Sequence, residues 1–139
     1  MSVRIALLAV VLLALAGCAA PQQTGAAGKP AGTTMTATRL YFGMSIQGGG
    51  TVGEADWRDF LAREVTPRFP DGLTVLPARG QWRDPHSGRI LREQTRVLLL
   101  LHKNSDKALN AIAAIIARYK IRFRQRSVLR IDAPVRVTF

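Results

Sequence analysis

Apolar and polar residues alternate with two different periods along the chain from residue 38 onward. Four segments show the period-two alternation, or the short continuous apolar run, that is typical of β-strands. Two others repeat apolar residues every three to four positions, which is the period of an amphipathic helix. The predicted strands are 38–45, 73–83, 89–102 and 127–139, and the predicted helices are 54–65 and 106–123.

Each predicted helix has an apolar stripe and recognisable ends. Gly53 and Ser105 stand at the two N-caps, and Pro67 stops the first helix because the residue before a proline avoids helical angles. Both helices are therefore expected to pack one face against a core. The stripe of the first is Trp57, Phe60, Leu61 and Val65, and that of the second is Leu109, Ile112, Ile116, Tyr119 and Phe123.

The order of the predicted elements is βαββαβ, which is the arrangement of a ferredoxin-like fold. We therefore predict an α+β two-layer sandwich, in which two helices cover one face of an antiparallel four-stranded sheet. The run 97–101 is apolar at every position, so the third strand should be central and buried on both faces. Because no helix covers the second face, we expect a homodimer packed through it.

The N-terminus has the three parts of an export signal. Arg4 is its only charge, residues 5–16 are apolar, and the run Leu-Ala-Gly-Cys at 15–18 resembles the bacterial lipobox. That resemblance implies cleavage before Cys18, which would then carry acyl chains such as palmitate. Because Ala19 and not aspartate follows, it also implies a position on the periplasmic face of the outer membrane. A plain signal peptide with an incidental cysteine is the alternative.

The predicted organisation is a signal peptide at 1–17, a lipidated Cys18 with a flexible tether to residue 37, and one domain at 38–139. Residues 19–37 are rich in Ala, Gly, Thr, Gln and Pro and have no aromatic side chain, so they bury too little apolar surface to fold. Cys18 is the only cysteine of the chain. No disulfide can form within the chain, and packing alone must hold the domain together.

The chain is strongly basic, with a formal net charge of +11. Such a surface attracts anions, and in the cell envelope the candidates are phosphates, anionic lipids and cell-wall carboxylates. The export signal argues against nucleic acid as a partner. The arginines are spread along the whole chain, so a composition bias without a function is the alternative explanation of the charge.

Several short runs between residue 39 and the end form a recognisable set. They are Leu40-Tyr41-Phe42-Gly43, Gly80-Gln81-Trp82, Arg92-Glu93, Tyr119-Lys120 and the stretch from Trp57 to Pro70. By these runs the chain resembles a family of small bacterial lipoproteins catalogued as domain of unknown function 3574. One departure is Arg124, where a glycine that closes the second helix is expected. The resemblance implies no particular activity.

Polar residues gather on both sides of the predicted turn at 84–88. If the second and third strands pair about His86, Gln81 and Trp82 come close to Arg92 and Glu93. A tryptophan beside charged side chains can stack on a ring and hold a charged group by charge-assisted hydrogen bonds. An ordinary cross-strand ion pair, with the tryptophan covering the core edge, is the alternative. The candidate ligand contacts are Tyr41, Gln81, Trp82, Arg92 and Glu93.

Three classes of function are compatible with these features. The leading hypothesis is a lipid-anchored, non-catalytic binding or interaction module of the cell envelope, for which an anionic envelope molecule is a candidate ligand. The second is a small periplasmic enzyme, with its site on the sheet face formed by Tyr41, Trp82, Arg92 and Glu93. The third is a purely structural envelope protein.

The sequence offers little support for cofactor or metal chemistry. His86 and His102 lack the spacing of metal ligands. The glycine run at 48–53 matches G-x-G-x-x-G, but an exported domain of this size and element order does not suit dinucleotide binding, and a flexible loop is the better interpretation. No catalytic residue, cofactor or metal is therefore predicted.

Overall fold

The computed structural model describes residues 31–139. The predicted signal peptide and the predicted lipidation site Cys18 lie outside the described residues. The strands are β1 (Thr33–Gly43), β2 (Thr74–Arg83), β3 (Ile90–His102) and β4 (Leu129–Val137). The helices are α1 (Glu54–Phe60), which continues into a π-helical turn (Leu61–Val65), and α2 (Asp106–Arg122).

The four strands form one antiparallel sheet in the order β2-β3-β1-β4, so β3 is central as predicted and β1 is the other central strand. Leu40 of β1 and Leu98 of β3 are buried with Ile112 of α2, which shows that the helices cover this face of the sheet. Pro77 and Pro134 lie on the two edge strands, where a missing N–H leaves the central ladder intact. The predicted α+β ferredoxin-like fold is confirmed.

Strand β1 begins at Thr33 and not at residue 38, so it includes part of the stretch predicted as a tether. Thr33 pairs with Val137 and Thr36 with Pro134, which gives the backbone of this stretch partners in β4. Threonine is β-branched and suits a strand, although the polar composition resembles a linker. The same pairing carries β4 through Pro134 without interruption.

Phe42 of β1 lies at the centre of an aromatic core. Its ring centroid is 4.5 Å from that of Tyr119 and 5.3 Å from that of Trp57. Phe60 and Phe123 complete the cluster: Phe60 meets Phe42 edge-to-face, and Phe123 is tilted against Tyr119, as aromatic quadrupoles favour. All five side chains are buried. The cluster fixes both helices against the sheet.

Ser105 is the N-cap of helix α2, and its hydroxyl accepts a hydrogen bond from the N–H of Ala108 at 3.3 Å. The buried stripe of α2 differs from the predicted one, because Ala108 and Ile115 are buried where Leu109 and Ile116 were predicted. Leu109 is therefore exposed, contrary to the prediction. The buried residues are Ala108, Ile112, Ile115 and Tyr119.

The face of the sheet without helices, here called the open face, is largely apolar. Val97 of β3 is buried among its neighbours on this face. The alternation of side chains along each strand also brings large apolar residues to the open face near the edges of the sheet. Leu76, Leu101, Leu129 and Ile131 remain between 38% and 57% exposed.

Candidate functional site

A groove of about 960 Å³ lies on the open face, at the end of the sheet where β1 finishes and the β2–β3 hairpin turns. Its floor comes from β1, β2 and β3, and the turn 124–127 between α2 and β4 forms one wall. We call it the open-face groove. All five residues singled out in the sequence border it: Tyr41, Gln81, Trp82, Arg92 and Glu93.

The alternation of side chains divides these five residues into two groups. Tyr41, Trp82 and Glu93 occupy open-face positions of β1, β2 and β3. Gln81 and Arg92 are directly paired with each other, one position further along their strands, so their side chains leave the sheet on the other side. They border the groove only at the edge of the sheet. The predicted cluster is therefore a pair of neighbouring groups.

Two glycines make a niche for the carboxylate of Glu93. A Cβ atom added to Gly43 would lie 2.7 Å from Glu93 Oε2, and one added to Gly80 would lie 3.5 Å from Glu93 Cγ. Gly80 is the direct cross-strand partner of Glu93. Since any larger residue at Gly43 would occupy the place of the carboxylate, the half-buried Glu93 side chain depends on this glycine for its position.

The carboxylate of Glu93 makes no hydrogen bond or ion pair with any other residue in the range 31–139 that the structure describes. Its surroundings are nevertheless fixed. Tyr119 reaches from the core and donates a hydrogen bond of 2.9 Å to the carbonyl of Gly43. Burial raises the pKa of Tyr119 well above its ordinary value of 10.0, and the charge of Glu93 adds to the rise. The phenol therefore stays protonated and keeps this bond.

The other carboxylate beside the groove, that of Asp84, is used by the hairpin turn. It accepts hydrogen bonds from the backbone N–H of His86 at 2.8 Å and of Ser87 at 3.3 Å. The bond from His86 and then that from Ser87 lower the pKa of Asp84 below its ordinary value. Among the residues that line the groove, Glu93 is thus the carboxylate left for a ligand.

The turn that forms one wall of the groove carries two arginines and is held in place by hydrogen bonds. Gln125 donates hydrogen bonds to the carbonyl of Ser45 at 2.6 Å and to that of Phe123 at 3.2 Å, which ties the turn to the end of β1. Arg124 and Arg126 flank Gln125 and line the groove. Arg124 has φ +50°, the left-handed conformation that glycine adopts most easily, at the position where a glycine was expected.

A second polar cluster was missed in the sequence. Thr38 is fully buried and donates a hydrogen bond of 2.5 Å to Asp132 Oδ1, and its oxygen lies 2.8 Å from His102 Nε2. His102 Nδ1 lies 2.9 Å from the carbonyl of Lys103. These groups join β1, β3 and β4, and the cluster is satisfied internally, which marks it as structural.

Opposing influences act on the carboxyl group of Asp132. Burial favours its neutral form and would raise the pKa, but the hydrogen bonds from Thr38 and Arg130 outweigh burial and leave the pKa below the ordinary value of 3.8. Arg130 Nε lies 2.9 Å from Asp132 Oδ2. The cluster therefore stabilises the fold most when Asp132 is ionised.

The opposite end of the sheet has a smaller hollow of about 690 Å³. Its walls include Phe69 and Leu73, and its cations include Lys103, Lys107 and an Arg68 already paired with Glu64 at 3.0 Å. No group of three or more metal-ligating side chains occurs in residues 31–139. Within the same residues, no helix combines the length and apolarity needed to cross a membrane. The open-face groove is the better candidate site, because all five residues singled out in the sequence border it.

Comparison with known structures finds similar chains, among them two structures of a phage SAM lyase. A phage SAM lyase in complex with S-methyl-5'-thioadenosine superposes with a TM-score of 0.57 at 15% sequence identity, covering 79% of this chain and 95% of that chain. The phage SAM lyase in the apo state gives a TM-score of 0.55 at 12% identity, covering 80% and 96%. At such identities the likeness establishes a shared fold alone.

The sequence itself was also compared with curated proteins and with family models. The search of curated proteins found no match. The family model described as "Protein of unknown function (DUF3574)" matches residues 37–139, which is most of the chain. The chain therefore belongs to that family.

Proposed function

We propose that this protein is a binding module of the cell envelope, and that its open-face groove takes a small ligand with a cationic group. The observation that carries the proposal is the Glu93 carboxylate, which lies half-buried over Gly43 and has no partner among residues 31–139. Partial burial of a charge without a partner destabilises the protein, and a ligand cation that pairs with the charge can offset this cost. A charge-assisted hydrogen bond is also among the stronger contacts that a groove can offer.

The rings beside Glu93 suit the same ligand. Tyr41 and Trp82 border the groove from β1 and β2, and Trp82 is 48% exposed, so its ring is free to contact a bound molecule. An aromatic face attracts a cation and also stacks on a planar group. A ligand that combines an ammonium or similar cation with a ring would use both features.

Calorimetric titration of the full-length protein in neutral detergent tests the proposal with two probes. Phenethylamine and 2-phenylethanol share a ring and differ in the cation. We expect phenethylamine to bind more tightly, and Glu93→Gln to weaken it about tenfold while leaving 2-phenylethanol unaffected. Glu54→Gln is the matched control, because Glu54 pairs with Arg96 outside the groove. Equal binding of both probes, or an unaffected Glu93→Gln variant, would refute the cation site at Glu93.

An enzyme that uses the same groove is the second candidate. Two of the similar structures are of an enzyme, a phage SAM lyase, one of them in complex with S-methyl-5'-thioadenosine. A carboxylate without a partner can act as a base or stabilise a substrate cation. Incubation with SAM, followed by chromatography for S-methyl-5'-thioadenosine, tests this candidate. Product formed by the wild type and lost in Glu93→Gln would favour the enzyme, and its absence would favour the binding module.

The anchoring of the module is part of the proposal. Cys18 ends a run that resembles the lipobox, and two or more acyl chains hold a protein stably on a membrane. The protein would then lie on the periplasmic face of the outer membrane. Labelling of cells with tritiated palmitate should mark the wild type and not a Cys18→Ser variant. A labelled Cys18→Ser variant, or an unlabelled wild type, would contradict the anchor.

A homodimer through the open face is also proposed. Leu76, Leu101, Leu129 and Ile131 expose apolar surface there, and a second copy would cover it. It would also shield Glu93 from water and strengthen its interaction with a ligand cation. Sedimentation of the detergent-solubilised protein should give a dimer that Ile131→Asp dissociates. A monomer for the wild type at micromolar concentration would refute the dimer.

A further inference from the structure

Cations without partners border the same groove that holds Glu93. Arg79, Arg92, Arg124 and Arg126 all line it. No hydrogen bond or ion pair joins any of the four to another residue between 31 and 139. They outnumber the one available carboxylate, so the rim of the groove is electropositive while its floor is acidic. Such an arrangement favours a ligand that carries both charges.

The backbone of Arg124 singles out one part of the rim. A residue with a Cβ atom pays a free-energy cost at φ +50°, which glycine at the same position avoids. Helix α2 does not need this cation at its C-terminus, because Lys120 and Arg122 already stand in its last turn. A strained residue whose side chain lines a groove points to a role for that side chain.

The turn also has the rigidity that a binding site requires. Gln125, between the two arginines, is held by its side-chain bonds to Ser45 and Phe123, and its N–H donates to the carbonyl of Lys120 at 3.0 Å. Arg124 and Arg126 therefore extend from a fixed backbone at one wall of the groove. Two guanidinium groups placed in this way suit the oxygens of a phosphate or carboxylate.

We infer that Arg124 and Arg126 form an anion site at the rim of the open-face groove. The ligand then carries a phosphate or carboxylate group at one end and the cation that Glu93 binds at the other. This inference rests on the proposed function for the location of the site. It adds the second charge of the ligand and a residue pair that recognises it.

Three variants, each of which lowers the net charge by one, separate binding from stability. Arg124→Gly removes the guanidinium and relieves the strained backbone, so we expect it to raise the melting temperature by about 2–5 °C. Arg124→Ala removes the same group without that relief and should melt like the wild type. Arg118→Ala is the control for net charge, because Arg118 lies on α2 outside the groove.

Inorganic phosphate is the first probe, followed through the side-chain Nε–H signals of the full-length protein in neutral detergent micelles. We expect saturable shifts at Arg124 and Arg126, and about tenfold weaker binding in both Arg124 variants. Arg118→Ala should bind phosphate like the wild type. Glu93→Gln should bind it as tightly or more tightly, although it loses phenethylamine. Loss of amine binding and loss of phosphate binding therefore report separately on Glu93 and on the arginines.

The source of the anion is tested with phosphatidylglycerol added to the same micelles. Shifts at Arg124 with phosphatidylglycerol but not with phosphate would assign the arginines to a lipid surface and overturn the inference. Equal weakening of phosphate binding by Arg118→Ala and Arg124→Ala would also overturn it, because the phosphate would then respond to net charge alone. Phosphate binding that only the Arg124 variants weaken supports the site.

Discussion

Replacement of Gly43 by alanine tests whether this glycine is present to make room for Glu93. The added methyl group would lie 2.7 Å from Glu93 Oε2 and 3.0 Å from Oε1 and Cδ. Gly43 belongs to a regular strand, so alanine can adopt its backbone conformation. The displaced atoms are the end of a flexible side chain. We therefore expect the carboxylate to leave its niche while the strand stays in place.

The size of the effect follows from two opposing contributions. Alanine restricts the unfolded chain and by itself stabilises by about 0.4–1 kcal/mol where it fits. Overpacking typically costs about 1–3 kcal/mol, and the lower end applies because a side-chain terminus can move. Gly43→Ala should thus lower the free energy of unfolding by roughly 0–1 kcal/mol in the wild type. In a Glu93→Ala background, Gly43→Ala should raise the free energy of unfolding by about 0.5 kcal/mol.

Urea denaturation of the four proteins of this cycle gives the coupling between the two residues. We expect a coupling free energy of about 1 kcal/mol, and we expect the Gly43→Ala single variant to lose phenethylamine binding although it keeps Glu93. The reasoning is refuted if Gly43→Ala changes stability equally with and without Glu93, because the methyl group would then meet something other than the carboxylate.

Three further predictions concern the polar contacts around the core. Tyr119→Phe removes the hydrogen bond to the carbonyl of Gly43 and should lower the free energy of unfolding by about 1–2 kcal/mol in urea; an unchanged midpoint would contradict it. Thr38→Val leaves His102 and Asp132 without the hydroxyl between them and should lower the free energy of unfolding by about 1–3 kcal/mol. Thr38→Ser keeps a hydroxyl and should lose much less stability; equal losses in the two variants would argue against a hydrogen-bonding role. The pKa of Asp132 is lowered, so the ionised carboxylate stabilises the fold at any pH above the ordinary pKa of 3.8. This contribution disappears as the pH falls through the lowered pKa. The stability difference between wild type and Asp132→Asn, measured in urea between pH 7 and pH 2, should therefore shrink below about pH 4, and a difference independent of pH would contradict the role of its charge.

The fold followed from local patterns because its core strands alternate cleanly. Leu40 and Phe42 lie two residues apart and both are buried, as alternation requires. The start of β1 was missed because Thr33 and Thr34 are polar and follow a linker-like stretch, although threonine favours strands. The stripe of α2 was misplaced because Leu109 looks like a core residue, while the smaller Ala108 takes the buried position.

Only part of the candidate site could be predicted from the sequence. Alternation along the predicted hairpin would have separated Glu93 from Arg92, since adjacent residues of a strand face opposite sides. The niche at Gly43 depends on the register of three strands, which no local pattern contains. The bond between Thr38 and Asp132 joins residues 94 positions apart, so only the pairing of β1 with β4 reveals it.

The central claim is that the Glu93 carboxylate binds the cation of a ligand in the open-face groove. Carbon-13 NMR of the glutamate carboxyl groups, recorded while phenethylamine is added to the full-length protein, observes that group directly. We predict a saturable shift of the Glu93 carboxyl signal and none at Glu54 or Glu64, which pair with Arg96 and Arg68. An unmoved Glu93 signal, or equal shifts at all three glutamates, would contradict the claim.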